Sequence, residues 1–149
     1  MSLKEKLTEE MKSALKERNK TRLSTIRLIQ DAVNKKEIEQ GRQALDDNGI
    51  IRVISAMVRK GEDAVEQFKK GDRQDLVDEE NRQLDVLKSF LPQQLSSEEI
   101  LSLISEAIEE AKAVDLRDLG KVMQILMPKV SGRADGKTVN EMVRERLSA

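Results

Sequence analysis

Apolar residues recur at helical spacing along nearly the whole chain, and no stretch offers a candidate parallel sheet. Leu3, Leu7, Met11 and Leu15 mark one face of a first helix, and Ser2 with Glu5 has the spacing of a capping box at its start. The pattern breaks at Asn19 and Lys20, then resumes with Leu23, Ile26, Ile29, Ala32 and Val33 until Gly41. Two antiparallel helices joined by a tight turn follow. A polar connection, Gly41–Gly49, holds Asp46, Asp47 and Asn48, each able to cap the next helix. That helix carries Ile50, Ile54, Met57, Ala64, Val65 and Phe68, and closes at Gly71–Asp72. Gly61 interrupts it at a cost of roughly 1 kcal/mol against Ala, and is read as tolerated. A fourth stripe, Leu76, Val77, Leu84, Leu87 and Leu91, runs up to Pro92.

Proline disfavours helical backbone in the residue before it, so Leu91–Pro92 divides the chain. Residues 1–91 form a helical amino-terminal domain of hairpins and residues 92–149 a small three-helix bundle, an all-α protein. The bundle starts where Ser96 and Glu99 form a second capping box and Leu95 staples against Ile100. Ile100, Leu101, Ile104, Ala107, Ile108 and Ala111 then face inward, to about Ala113. Asp118 is placed to cap the next helix, whose inner side is Leu119, Val122, Met123, Leu126, Met127 and Val130. Lys121, Gln124 and Pro128 point away from it. Ser131–Lys137 makes a turn, and Asp135 is placed to cap a last helix with Val139, Met142, Val143 and Leu147 inside. Gly120, Gly132, Asp135 and Gly136 are read as structural residues of these turns, the glycines as backbone hinges for packing.

Composition narrows the chemistry. Phe68 and Phe90 are the only aromatic residues, and there is no Cys and no His. Disulfides, thiolate nucleophiles, cysteine zinc sites and the commonest general base are therefore excluded. No cofactor is implied. The acidic run Asp78–Glu80 raises a di-metal carboxylate bundle, but those sites use Glu-x-x-His pairs, so solvated carboxylates are the better reading. No apolar run approaches the roughly 20 residues of a spanning helix, and residues 1–8 contain no signal-peptide core. A cytoplasmic protein is expected, with no membrane partner and no DNA.

Net charge is −1, but residues 1–41 carry +3, 42–95 −2, 96–119 −5 and 120–149 +3. Uneven distribution matters more than the total for a polyanionic partner. Lys16, Arg18, Lys20, Arg22 and Arg27 gather around the first turn, where solvated helix ends explain them. Arg27, inside its helix beside the apolar stripe, is expected to pair with a carboxylate. In the second positive segment, Gly132 to Thr138 resembles a phosphate-binding loop, G-x-x-x-x-G-K-[ST], but is one residue short, with Ser131 in place of the first glycine and no strand before it. Nucleotide binding is rejected. The turn can still attract an anion through Lys121, Lys129, Arg133 and Lys137, because Asp135 opposes a phosphate directly on the helix end. Without aromatic rings to stack on, single strands are poorly held, and a structured RNA read by backbone and shape suits these cations better.

The segment GKVMQILMPKVSGRADGKTVNEMVRERL closely resembles the carboxy-terminal signature of the YqeY-like family, and RLSTIRLIQDAV, EQFKKGDRQDLVDEE and SFLPQQLSSEEI resemble its amino-terminal part. The resemblance spans the chain. It implies two helical parts, the second a GatB/YqeY domain similar to the tail of the B subunit of the glutamine-dependent Asp/Glu-tRNA amidotransferase, a carbon–nitrogen ligase using glutamine as amido-N-donor. Gly120, Lys121, Gly132, Arg133, Ala134, Asp135 and Asn140 match the shared tail pattern, whereas Pro128 and Lys129 match the free-standing family more. The tail helps to hold tRNA, and similar domains occur on some glutaminyl-tRNA synthetases. The implied function is an accessory tRNA-binding protein working with amidotransferase or an aminoacyl-tRNA synthetase. The amidase triad and the ATP-using region of that enzyme are absent, so no independent catalysis is expected. The alternative is a helical protein-interaction adaptor that does not bind RNA.

Overall fold

Ser2 Oγ accepts the Glu5 N–H at 3.2 Å while the Glu5 carboxylate accepts the Ser2 N–H at 3.3 Å, and this reciprocal box opens α1 (Leu3–Lys16). Asn19 Oδ1 takes the Arg22 N–H at 3.1 Å to start α2 (Lys20–Glu39), and Asp46 takes that of Gly49 at 2.8 Å to start α3 (Asp47–Lys70). Asp47 serves a different helix: its Oδ1 accepts the Leu3 N–H, the first amide of α1, at 3.0 Å. The remaining helices are α4 (Gln74–Ser89), α5 (Ser97–Ala111), α6 (Leu119–Val130) and α7 (Gly136–Ser148), with a short 3₁₀ turn, Leu116–Asp118. The computed structural model describes residues 1–148, and among these there is no strand. None of their helices is long and apolar enough to cross a membrane. The fold is all-α.

Two compact units divide the chain, Met1–Leu91 and Pro92–Ala149. In the first, Leu7, Ile26, Ile29, Val33, Ile50, Ile54, Val65, Val77, Leu84, Leu87 and Phe90 form one buried cluster. Leu15, expected on the inner face of α1, is 58% exposed, and Ala14 is buried instead. The reason is geometric, because each four-residue step advances about 40° beyond a full turn, so after three steps residue 15 has left the stripe that residue 14 rejoins. Leu101 in α5 is likewise 42% exposed, one residue round from buried Ile100.

Gly61 reverses its expected role. A Cβ there would stand 2.6 Å from Leu84 Cδ2 and 3.0 Å from Glu80 Oε1, so the missing side chain lets α3 approach α4 closely. Arg27 is exposed and forms no ion pair among the described residues. Arg22 takes the structural part assigned to it. Its guanidinium is 3.0 Å from Glu10 Oε2 and 5.3 Å from the ring centre of buried Phe90, with Lys6 Nζ at 5.8 Å from the same ring. Cations over an aromatic face gain from its negative quadrupole, which gives the only buried ring of this unit a polar cover.

Candidate nucleic-acid interface

The carboxy-terminal unit packs around Ile100, Ile104, Ala107, Val122, Leu126, Val130, Val139, Val143 and Leu147. Its first helix opens with the reciprocal box of Ser96 and Glu99, at 3.1 and 3.3 Å. The cap expected from Asp118 is absent: its carboxylate accepts the Val114 N–H at 2.9 Å, binding the preceding loop, and makes no side-chain bond to the start of α6. Asp135 stands directly before α7, where its carbonyl accepts the Val139 N–H at 3.0 Å and its carboxylate the Thr138 hydroxyl at 3.2 Å.

The turn between α6 and α7 is fastened to the segment that enters the unit. Gly132 has φ +75°, a left-handed conformation that favours glycine, and its carbonyl accepts Gln94 Nε2 at 3.0 Å. The Arg133 carbonyl accepts the Leu95 N–H at 2.8 Å, and Arg133 Nε donates to the Gln93 carbonyl at 3.3 Å. Arg133, expected to point outward, is thus partly buried and shares its guanidinium between this clasp and solvent. Gln93 and Gln94 were not singled out from the sequence. Their only signal is a pair of amides placed just before the Ser96 box.

The other glycines behave differently from the hinge expectation. Gly120 lies in no turn: it is the second residue of α6, and an added Cβ would meet nothing within 4 Å. At Gly136, the first residue of α7, the added atom would make only ordinary contact with Met127 Cε at 3.7 Å. Neither is required by packing.

Lys121 projects from the first turn of α6 and Lys137 from that of α7; both are exposed and neither forms an ion pair among the described residues. Lys129, near the end of α6, lies 3.9 Å from Glu110 Oε2, a solvent-facing pair that barely offsets its charge. Val122, Leu126 and Val130 bury the inner side of the same helix; Lys121 lies well off that stripe, whereas Lys129, seven residues after Val122, borders it and is exposed near the helix end. Gln124 and Pro128 are exposed with them. Among the described residues no three carboxylates come together as metal ligands would. The unit presents cations on a rigid helical frame, an arrangement suited to holding phosphates.

Comparison with known proteins agrees with this architecture. A family model for Yqey-like protein matches residues 4–147. The chain belongs to the YqeY-like family. Among curated relatives, the mitochondrial "Altered inheritance of mitochondria protein 41" of Pyrenophora tritici-repentis is 30% identical over 151 residues, covering 97% of this chain and 80% of the relative. The protein of that name from Lachancea thermotolerans is 29% identical, covering 74% of this chain and 55% of its own length. That from Kluyveromyces lactis is 25% identical over 89% of this chain and 69% of the relative. These names overturn the cytoplasmic expectation, since all three of these relatives are mitochondrial proteins by name. That expectation rests on the lack of a spanning apolar run and of a signal-peptide core in residues 1–8, and these features bear on membranes and secretion, leaving organelles untouched.

Proposed function

We propose that this YqeY-like protein binds tRNA through phosphate contacts made by Lys121, Lys129, Arg133 and Lys137, as an accessory to an amidotransferase or an aminoacyl-tRNA synthetase. One observation carries the reading: a +3 segment places Lys121 and Lys137, exposed and unpaired, on the helix starts of one small unit. Lys and Arg held on helices suit the backbone of a folded RNA, whose deep groove side chains cannot read. The resemblance of the unit to the amidotransferase tail supplies the choice of tRNA. No catalysis is proposed for the chain alone, which has neither Cys nor His.

Titration of tRNA at several salt concentrations tests the proposal. Log affinity is expected to fall linearly with log salt, by about 0.9 for each duplex phosphate contact. Reversing charge at Lys121 and Lys137 is expected to weaken binding and flatten that slope while leaving thermal unfolding unchanged. Binding that ignores salt, that survives charge reversal, or that is absent at low salt overturns the reading. A second reading, a protein-interaction adaptor, is favoured by Leu15 and Ile38, which are 58% and 67% exposed on the amino-terminal helices. Replacing both with Ser while retaining full tRNA affinity, but losing a protein partner in RNase-treated extract, supports the adaptor.

A further inference from the structure

We infer that Arg144 is a further phosphate-binding residue of the carboxy-terminal unit and that Asn140 is the residue that positions it; this rests on the tRNA reading above. Arg144 is exposed on α7, and its Nε donates to Asn140 Oδ1 at 2.8 Å, one helical turn earlier. Seven residues separate it from Lys137, so the two cations share a helix face about 10.5 Å apart along the axis. Val139, Val143 and Leu147 are buried on the other side of α7 and fix that face outward.

The identity of the holder matters. Arg22, Arg73 and Arg117 each bond a carboxylate, of Glu10, Asp75 and Asp115 respectively, which restrains the guanidinium but offsets its charge. Arg144 is restrained by a neutral amide. Glu141 and Glu145 flank it on α7, yet it forms no ion pair among the described residues. A guanidinium has five N–H donors, and the bond to Asn140 uses one, leaving the terminal fork available for two oxygens of a phosphodiester. Arg133 has the same design, its Nε resting on the neutral Gln93 carbonyl. The two arginines of this unit held by neutral acceptors are therefore oriented without losing charge, and Arg144 extends the cationic surface along α7 beyond the residues read from the sequence.

The test uses the full chain and tRNA, with affinity measured across salt for wild type, Arg144→Gln, Arg144→Lys, Asn140→Ala and the Asn140→Ala/Arg144→Gln double variant. Arg144→Gln is expected to weaken binding about tenfold, as loss of one charge-assisted contact does, and to reduce the salt slope by about 0.9. Arg144→Lys is expected to keep the slope but lose several-fold in affinity, because a point charge replaces the fork. Asn140→Ala leaves the guanidinium charged but unheld, and should weaken binding several-fold with the salt slope kept, with no loss in the double variant beyond that of Arg144→Gln. Thermal unfolding should not move for Arg144→Gln. Wild-type affinity and slope in Arg144→Gln, while charge reversal at Lys121 and Lys137 still weakens binding, overturns the inference alone. Additive losses in the double variant overturn the positioning role of Asn140. A wild-type chain that binds no tRNA overturns the RNA reading itself and this inference with it.

Discussion

The Cβ that Gly61 lacks would stand 2.6 Å from Leu84 Cδ2, nearer than such atoms approach in proteins. Leu84 is buried and 4% exposed, so it has little room to swing aside. Gly61→Ala is expected to lower stability by about 1–3 kcal/mol, the usual cost of overpacking, despite the better helix propensity of Ala. A denaturant midpoint at or above that of the wild type would show that Leu84 repacks freely.

Gly120 and Gly132 look alike in the sequence but call for opposite outcomes. Gly132→Ala puts a side chain at φ +75° and should cost about 1–2 kcal/mol, loosening the bonds from Gln94 and Leu95 to the turn. Gly120→Ala meets open space and should be neutral, or stabilising by up to about 1 kcal/mol. Thermal unfolding of the two variants side by side checks the contrast, and equal losses would contradict it.

Arg22 and Arg27, five residues apart on α2, separate a structural arginine from a solvated one. Arg22→Ala removes the bond to Glu10 and the cation from Phe90, an expected loss of about 1–2 kcal/mol. Arg27→Ala should stay within about 0.5 kcal/mol of wild type, as surface substitutions do. Chemical denaturation distinguishes them, and a larger effect at Arg27 would mean that the amino-terminal unit uses it.

Acid should release the clasp at Glu37. Its carboxylate accepts Lys4 Nζ and the Leu45 N–H, both at 2.8 Å, and these bonds, Lys4 first, hold its pKa below the ordinary carboxylate value. A carboxylate with a depressed folded-state pKa binds protons less readily folded than unfolded. Its stabilisation is therefore complete above the ordinary value of about 4.3 and disappears as pH falls through the lower folded value. Stability measured from pH 7 down to 2 should fall less steeply in that window for Glu37→Gln than for wild type. Asp75 and Asp115, lowered by Arg73 and Arg117, titrate in the same direction in both proteins, so the difference between the two profiles isolates Glu37. Parallel profiles would deny Glu37 this role.

Local signals carried most of the fold. The boxes at Ser2 and Ser96, the cap at Asp46 and the break at Pro92 are written within four or five residues, and periodicity over a helix length did the rest. What the sequence concealed depends on partners distant along the chain. Asp118 is a fair cap by spacing, yet the loop amide of Val114 claims it. Gly61 looks merely permissive until α4 is laid against it. Lys121 was visible because charge and helix phase suffice to turn it outward, and Lys129 and Lys137 because they stand at a helix end and a helix start. The clasp of Arg133 was hidden, since Gln93 lies 40 residues away. Asn140 and Arg144 are a different case: their four-residue separation was legible, and only the neutrality of the acceptor gives the pair its interest.

The clasp also sets where the carboxy-terminal unit can be cut. A fragment beginning at Ser96 would retain the capping box and every core residue, yet leave the carbonyls of Gly132 and Arg133 without the donors that Gln94 and Leu95 provide. A fragment beginning at Pro92 keeps them. The Leu95 amide, bonded across 38 residues, would report by its hydrogen-exchange rate how often the strap between entry and turn opens, independently of the helices on either side.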